Sequence, residues 1–169
     1  MQFQLLVDQM RANARRIEAL AGAVSLEQAR WKPRPEDWSI LEVVNHVYDE
    51  EREDFRLRLD ITLHRPSESW PPIDPPGWVT ARAYLQRDLG ESLQRFLAER
   101  QTSLAWLENL DAHNWEASVQ APWGRISAGD LMTSWANHDT LHMRQLVELL
   151  HAWSVRLGEP YSPEYAGTW

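Results

Sequence analysis

The ten prolines of this chain fall in its connections, and they leave four long stretches free to form helices. The first, about residues 2–22, sets Leu6, Met10, Ala14, Ile17 and Ala21 at helical spacing, and Gly22 closes it. A link with Trp31, Pro33, Pro35 and Trp38 leads to Ser39-Ile40-Leu41-Glu42. This is a capping box, in which serine accepts from an early amide and glutamate reaches back. The helix it opens is expected over about 39–64, with Val44, Val47, Tyr48, Phe55 and Leu59 as its apolar stripe and Arg65-Pro66 as its stop. Residues 65–79 are too proline-dense for regular structure and too aromatic for a solvated linker, so they are expected to pack over one end of the domain as a lid. A third helix is predicted over about 80–110, with Thr80 as N-cap, and a fourth over about 127–157, opened by Ser127-Ala128-Gly129-Asp130 and closed by Gly158-Glu159-Pro160. The tail from Tyr161 to Trp169 is aromatic enough to fold back. With no β-hairpin signature between them, four amphipathic segments predict an all-α four-helix bundle, one domain spanning 1–169.

The fourth segment carries an unusual pair. His138 and His142 lie about 40° apart around a helix, one turn above the other. Leu131, Trp135, Leu146, Leu149 and Trp153 share their side of the wheel, so both imidazoles face inward. A single inward histidine is most often a core residue bonded to a polar neighbour. Two at this spacing are expensive to desolvate without a common partner, and a metal ion would be one. A third ligand must then come from another helix, and His46 is the candidate. The wheel disfavours it, placing His46 with Glu50 and Glu53, off the stripe that holds Val47. His64 at a helix end, His113 in a linker and His151, which faces away from the pair, read as structural or solvated. The string His138-Asp139-x-x-His142 resembles the H-E-x-x-H zinc-protease motif but has aspartate where that chemistry needs glutamate.

Composition removes several function classes. A formal charge of −8 and a pI near 5.2 oppose nucleic acid or an anionic membrane as the main partner. No run is long and apolar enough to span a bilayer. The opening Met1-Gln2-Phe3-Gln4 lacks the regions of a secretory signal, so a cytoplasmic location is expected. The absence of cysteine rules out thiolate ligands and a cysteine nucleophile. Ten tryptophans suggest aromatic walls in the loops, with Trp70, Trp78 and Trp123 as candidates to line an apolar substrate pocket.

The run Trp-Ser-Ile-Leu-Glu-Val-Val-Asn-His at 38–46 and the later His-x-x-x-His-x-x-Gln at 138–145 together resemble the DinB/YfiT-like superfamily. The resemblance extends over essentially the whole chain. It implies a bundle of up-down-down-up course, assembly as a homodimer, and a divalent metal ion held by three histidines. By position these are His46, His138 and His142. It also implies activities known in the family: thiol S-transfer with a low-molecular-weight thiol, or metal-dependent hydrolysis of a small molecule. Histidine ligands do not distinguish zinc, nickel and iron. Glu50, one turn beyond His46, is a candidate base or ligand-supporting group, and Gln145, about 20° from His138 on the wheel, a candidate orienter. The alternative is a non-catalytic, stress-associated metal-binding dimer in which the ion is structural.

Overall fold

The computed structural model describes residues 1–110 and 114–169. His113, expected in a linker, lies outside the described residues. Four long helical elements form the body: α1 (Phe3–Gly22); α3 (Ile40–Glu50), which continues through a π-helical turn (Glu51–Phe55) into α4 (Arg56–His64); α6 (Leu89–Glu108); and α7 (Ala128–Gly158). Short helices α2 (Leu26–Arg30) and α5 (Pro75–Ala81) sit in the first two connections. The third connection holds an antiparallel hairpin of β1 (Ser118–Ala121) and β2 (Gly124–Ser127).

The cap chemistry fixes the helix starts. Ser39 and Glu42 form the anticipated capping box, as do Ser127 and Asp130. The predicted third helix begins later than expected. Thr80 lies within α5, and Asp88 is the residue whose side chain accepts from an early amide of α6. The hairpin also departs from expectation. Its strands are four residues each, too short to show a period-2 pattern.

Paired side chains give the helix directions. Asn45 meets Ser92, Glu51 meets Arg100 and Arg56 meets Ser103, so α3–α4 and α6 run parallel. Arg11 pairs with Glu108 while Gly22 lies against Leu93, so α1 and α6 are antiparallel. Met1 lies near Thr133 and Gln9 near Ala136, so α1 and α7 are parallel. The course is up-down-down-up.

Two parallel neighbours in sequence need a connection that travels the length of the bundle. Residues 65–87 provide it. Arg58 meets the Pro71 carbonyl, Glu53 meets Arg82, Asp49 meets Tyr84 and Asn45 meets Arg87, so this segment runs as a strap along α3–α4. It is therefore not a lid over one end. At its tightest point Ala83 adopts φ 50°, a left-handed conformation that costs a non-glycine about 1 kcal/mol, and the buried bond from Tyr84 Oη to Asp49 (2.6 Å) anchors the next residue.

The core is in two parts. One packs Ile17, Ala21, Leu41, Val44, Phe96 and Leu146; the other packs Val7, Met10, Leu59, Leu107, Met132 and Trp135. Between them lies a polar layer. Beyond α7, the tail returns so that Trp169 stacks on His151 at 4.1 Å between ring centres.

Candidate metal centre

The polar layer holds two clusters. In the first, His46 on α3 and His138 and His142 on α7 turn their rings together. The Nε2 atoms of His46 and His142 are 3.0 Å apart, and those of His142 and His138 also 3.0 Å. One ligand atom from each of the three lies within 4.8 Å of the others. The wheel reading that put His46 at a boundary is overturned, for His46 is 4% exposed. A wheel assumes one buried side, whereas α3 is enclosed on several: by α6, α7, the strap and the link before Ser39. Trp38 from that link packs its ring 4.7 Å from His46 and nearly parallel to His142.

Glu50 joins the cluster. Its Oε2 is 2.9 Å from His138 Nε2 and 3.8 Å from His46 Nε2. Gln145 orients His142 rather than His138: its Oε1 accepts from His142 Nδ1 at 2.9 Å, which leaves Nε2 as the free lone pair. His46 Nδ1 is buried without a hydrogen-bond partner. Burial, reinforced by the neighbouring histidines, pushes both His46 and His142 down to about 3, so these rings are neutral at physiological pH. Nearby, burial raises the Asp54 carboxyl to about 6 despite its Arg58 partner.

Imidazole nitrogens converging in this way are a poor hydrogen-bonded group but a good ligand set. Nitrogens about 2.0–2.1 Å from a tetrahedral ion stand about 3.3 Å from one another, close to the spacing seen. The donor set therefore fits a divalent cation of borderline softness, with Glu50 beside it.

Outside the histidines a cleft of about 690 Å³ opens, lined among others by Trp38, His142, Gln145 and Leu149. Trp70, Trp78 and Trp123 are elsewhere. Arg58 covers Trp70, Arg82 covers Trp78, and Trp123 is exposed at the hairpin turn. Tryptophan beside proline marks a loop, but not which loop reaches the site. Trp38, adjacent to the Ser39 cap, is held by the helix that carries His46. Of the other histidines, His64 pairs with Asp60 at the end of α4, and His151 lies under Trp169.

The second cluster was not anticipated. Arg100 on α6 donates to both oxygens of Glu51 (2.7 and 2.9 Å), to both of Asp139 (2.7 Å each) and to the Met10 carbonyl (3.0 Å). Trp135 Nε1 donates to Glu51 at 2.8 Å. All four long helical elements meet here, in full burial. A signal was present: Arg100 occupies the apolar spacing of Leu93, Phe96, Leu104 and Leu107.

A family profile for the DinB superfamily matches residues 9–146. Among solved structures, the chain is similar to YfiT from Bacillus subtilis, with a TM-score of 0.80 over 90% of this chain and 88% of that one at 16% identity. That protein is described as a probable metal-dependent hydrolase with an unusual four-helix bundle topology. No curated protein matches the sequence. Among the described residues, no helix is long and apolar enough to cross a membrane.

Proposed function

This chain belongs to the DinB superfamily, and we propose that it is a metal-dependent enzyme, foremost a hydrolase, acting on a small molecule. The observation that carries the reading is the convergence of three imidazole nitrogens, with the Glu50 carboxylate at 2.9 Å from one of them, beside an open cleft. His46, His138 and His142 would hold the ion. Bound there, a divalent cation lowers the pKa of a coordinated nucleophile and polarises an acceptor group.

The chain's own groups have separate roles. Glu50, shielded from bulk water, takes the proton from a nucleophile arriving through the cleft. Gln145 holds the proton on His142 Nδ1, so that Nε2 stays directed at the ion. Trp38 and Leu149 supply apolar wall, and the volume suits a small organic substrate. The same volume accommodates a low-molecular-weight thiol, and transfer from such a thiol is the second reading. Homodimer assembly belongs with the proposal and is measured by sedimentation.

Protein purified without a histidine tag should carry about one divalent ion per chain by elemental analysis, or take one up on titration. Ester, amide and thiol-conjugation substrates are then screened with and without chelation. Hydrolysis lost on chelation and restored by metal supports the hydrolase reading. Metal uptake with no turnover in either class would instead make the ion structural, and no uptake at all would end the metal reading.

A further inference from the structure

Every buried carboxylate in this bundle can be asked which cation faces it. Glu42 has Lys32, Asp54 has Arg58, and Asp49 with its half-buried neighbour Glu53 has Arg82 and Arg52. The polar layer differs. Glu51 and Asp139 share Arg100 alone, and Glu50 faces no lysine or arginine, only His138 and His46. Half-buried Arg87 is directed at the Asn45 amide oxygen rather than at any of the three. Among the described residues, the layer thus holds two negative charges that no lysine or arginine neutralises. One is that of Glu50 and the other is what Arg100 leaves over on Glu51 and Asp139; all three carboxylates lie at the level of the histidines, because Glu51 follows Glu50 in the chain and Asp139 follows His138.

Buried charge without a partner is among the costliest features a fold can carry. A dication held by the three imidazoles, which carry no charge as metal ligands, would bring this layer to neutrality. Building on the metal reading above, we infer that Glu51 and Asp139 are affinity determinants for that ion. They act through the protein interior without touching it, while Arg100 cancels only one of their two charges. The excess favours a dication over a monocation at ligands that are themselves uncharged. In an interior of low effective dielectric such a charge is felt across several ångströms, where water would screen it.

The opposing view is that Arg100, Glu51 and Asp139 only hold the helices together. Three substitutions separate the two. E51Q and D139N each remove one negative charge, and R100K keeps all charges but loses the forked bonding. All three should lower the Tm of the metal-free protein. Affinity for zinc, measured by competition with a chromophoric chelator on folded protein, should fall about 10- to 100-fold in E51Q and D139N and stay within about threefold of wild type in R100K. Either neutralising variant suffices if the other does not fold.

Affinity that simply follows Tm across the folded variants overturns the inference, as does unchanged affinity in both E51Q and D139N. If wild-type protein binds no divalent ion, the metal reading fails and takes this inference with it. Wild-type binding with indifferent variants removes this inference alone.

Discussion

The two clusters of the polar layer are built from adjacent residues and have opposite characters. Around Arg100, every acceptor aimed at the guanidinium is met by a donor, and all five N–H groups of the guanidinium are used. Around His142, three ring nitrogens and a carboxylate oxygen crowd one point, and His46 Nδ1 has no hydrogen-bond partner. The first cluster is complete in its hydrogen bonds as polypeptide, although Arg100 offsets only one of its two carboxylates. The second becomes favourable when an acceptor of lone pairs sits among the nitrogens, because neutral imidazoles cannot all donate to one another. Completeness distinguishes the structural cluster from the candidate functional one, and exposure follows it: Arg100, Glu51 and Asp139 are fully buried, whereas His138 and His142 are only partly buried and His142 borders the cleft.

The largest test of that contrast is Arg100→Ala. It strands two buried carboxylates and should cost about 3–5 kcal/mol of stability in a denaturant titration. A loss below about 1 kcal/mol would mean the closed cluster contributes no more than a surface ion pair. His142→Ala should do the reverse, leaving metal-free stability within about 1 kcal/mol of wild type while lowering metal affinity by at least about 100-fold, read by calorimetry. If stability collapses instead, the histidines are core residues and the contrast fails.

Acid sharpens the difference further. The unfolded chain protonates its histidines below their ordinary value of 6.5, whereas His46 and His142 resist protonation in the fold until about pH 3. Their contribution is therefore fully present above pH 6.5 and is lost as pH falls toward 3, at up to about 1.4 kcal/mol per pH unit for each ring. Asp54, raised to about 6, works the opposite way. Its contribution is present below its ordinary value of 3.8 and lost as pH rises through 6, so it offsets part of the slope. Metal-free protein should lose stability steadily from pH 6.5 to 4, and His46→Ala should flatten that slope; an unchanged slope in the variant would sink the assignment. Smallest of the four is Gln145→Ala. Losing the acceptor at His142 Nδ1 should weaken metal binding about tenfold with little change in Tm, and equal affinity would remove Gln145 from the site.

Legibility in the sequence was uneven for physical reasons. The inward face of His138 and His142 was readable because α7 buries one stripe of a long regular helix. His46 was not readable in this way, because α3 is enclosed on several sides and a single-face wheel loses meaning there. Resemblance to a family supplied that residue where periodicity pointed away from it. The strap was misread as a lid, since its prolines announce irregular backbone but not the path that backbone takes. Arg100 was visible as a charge at apolar spacing. Its partners were not, because Glu51 and Asp139 look like ordinary polar residues until three helices bring them together.

By itself, then, the sequence determined the four long helical stretches, the caps at Ser39 and Ser127 and the spacing that turns two histidines inward. These depend on contacts within a few residues along the chain, and local chemistry is written locally. Tertiary structure alone decided that Glu50 approaches His138, that Trp38 rather than the loop tryptophans borders the cleft, and that one arginine is shared by two carboxylates. Each is a meeting of residues from different elements, set by how an up-down-down-up bundle brings its polar layer into register.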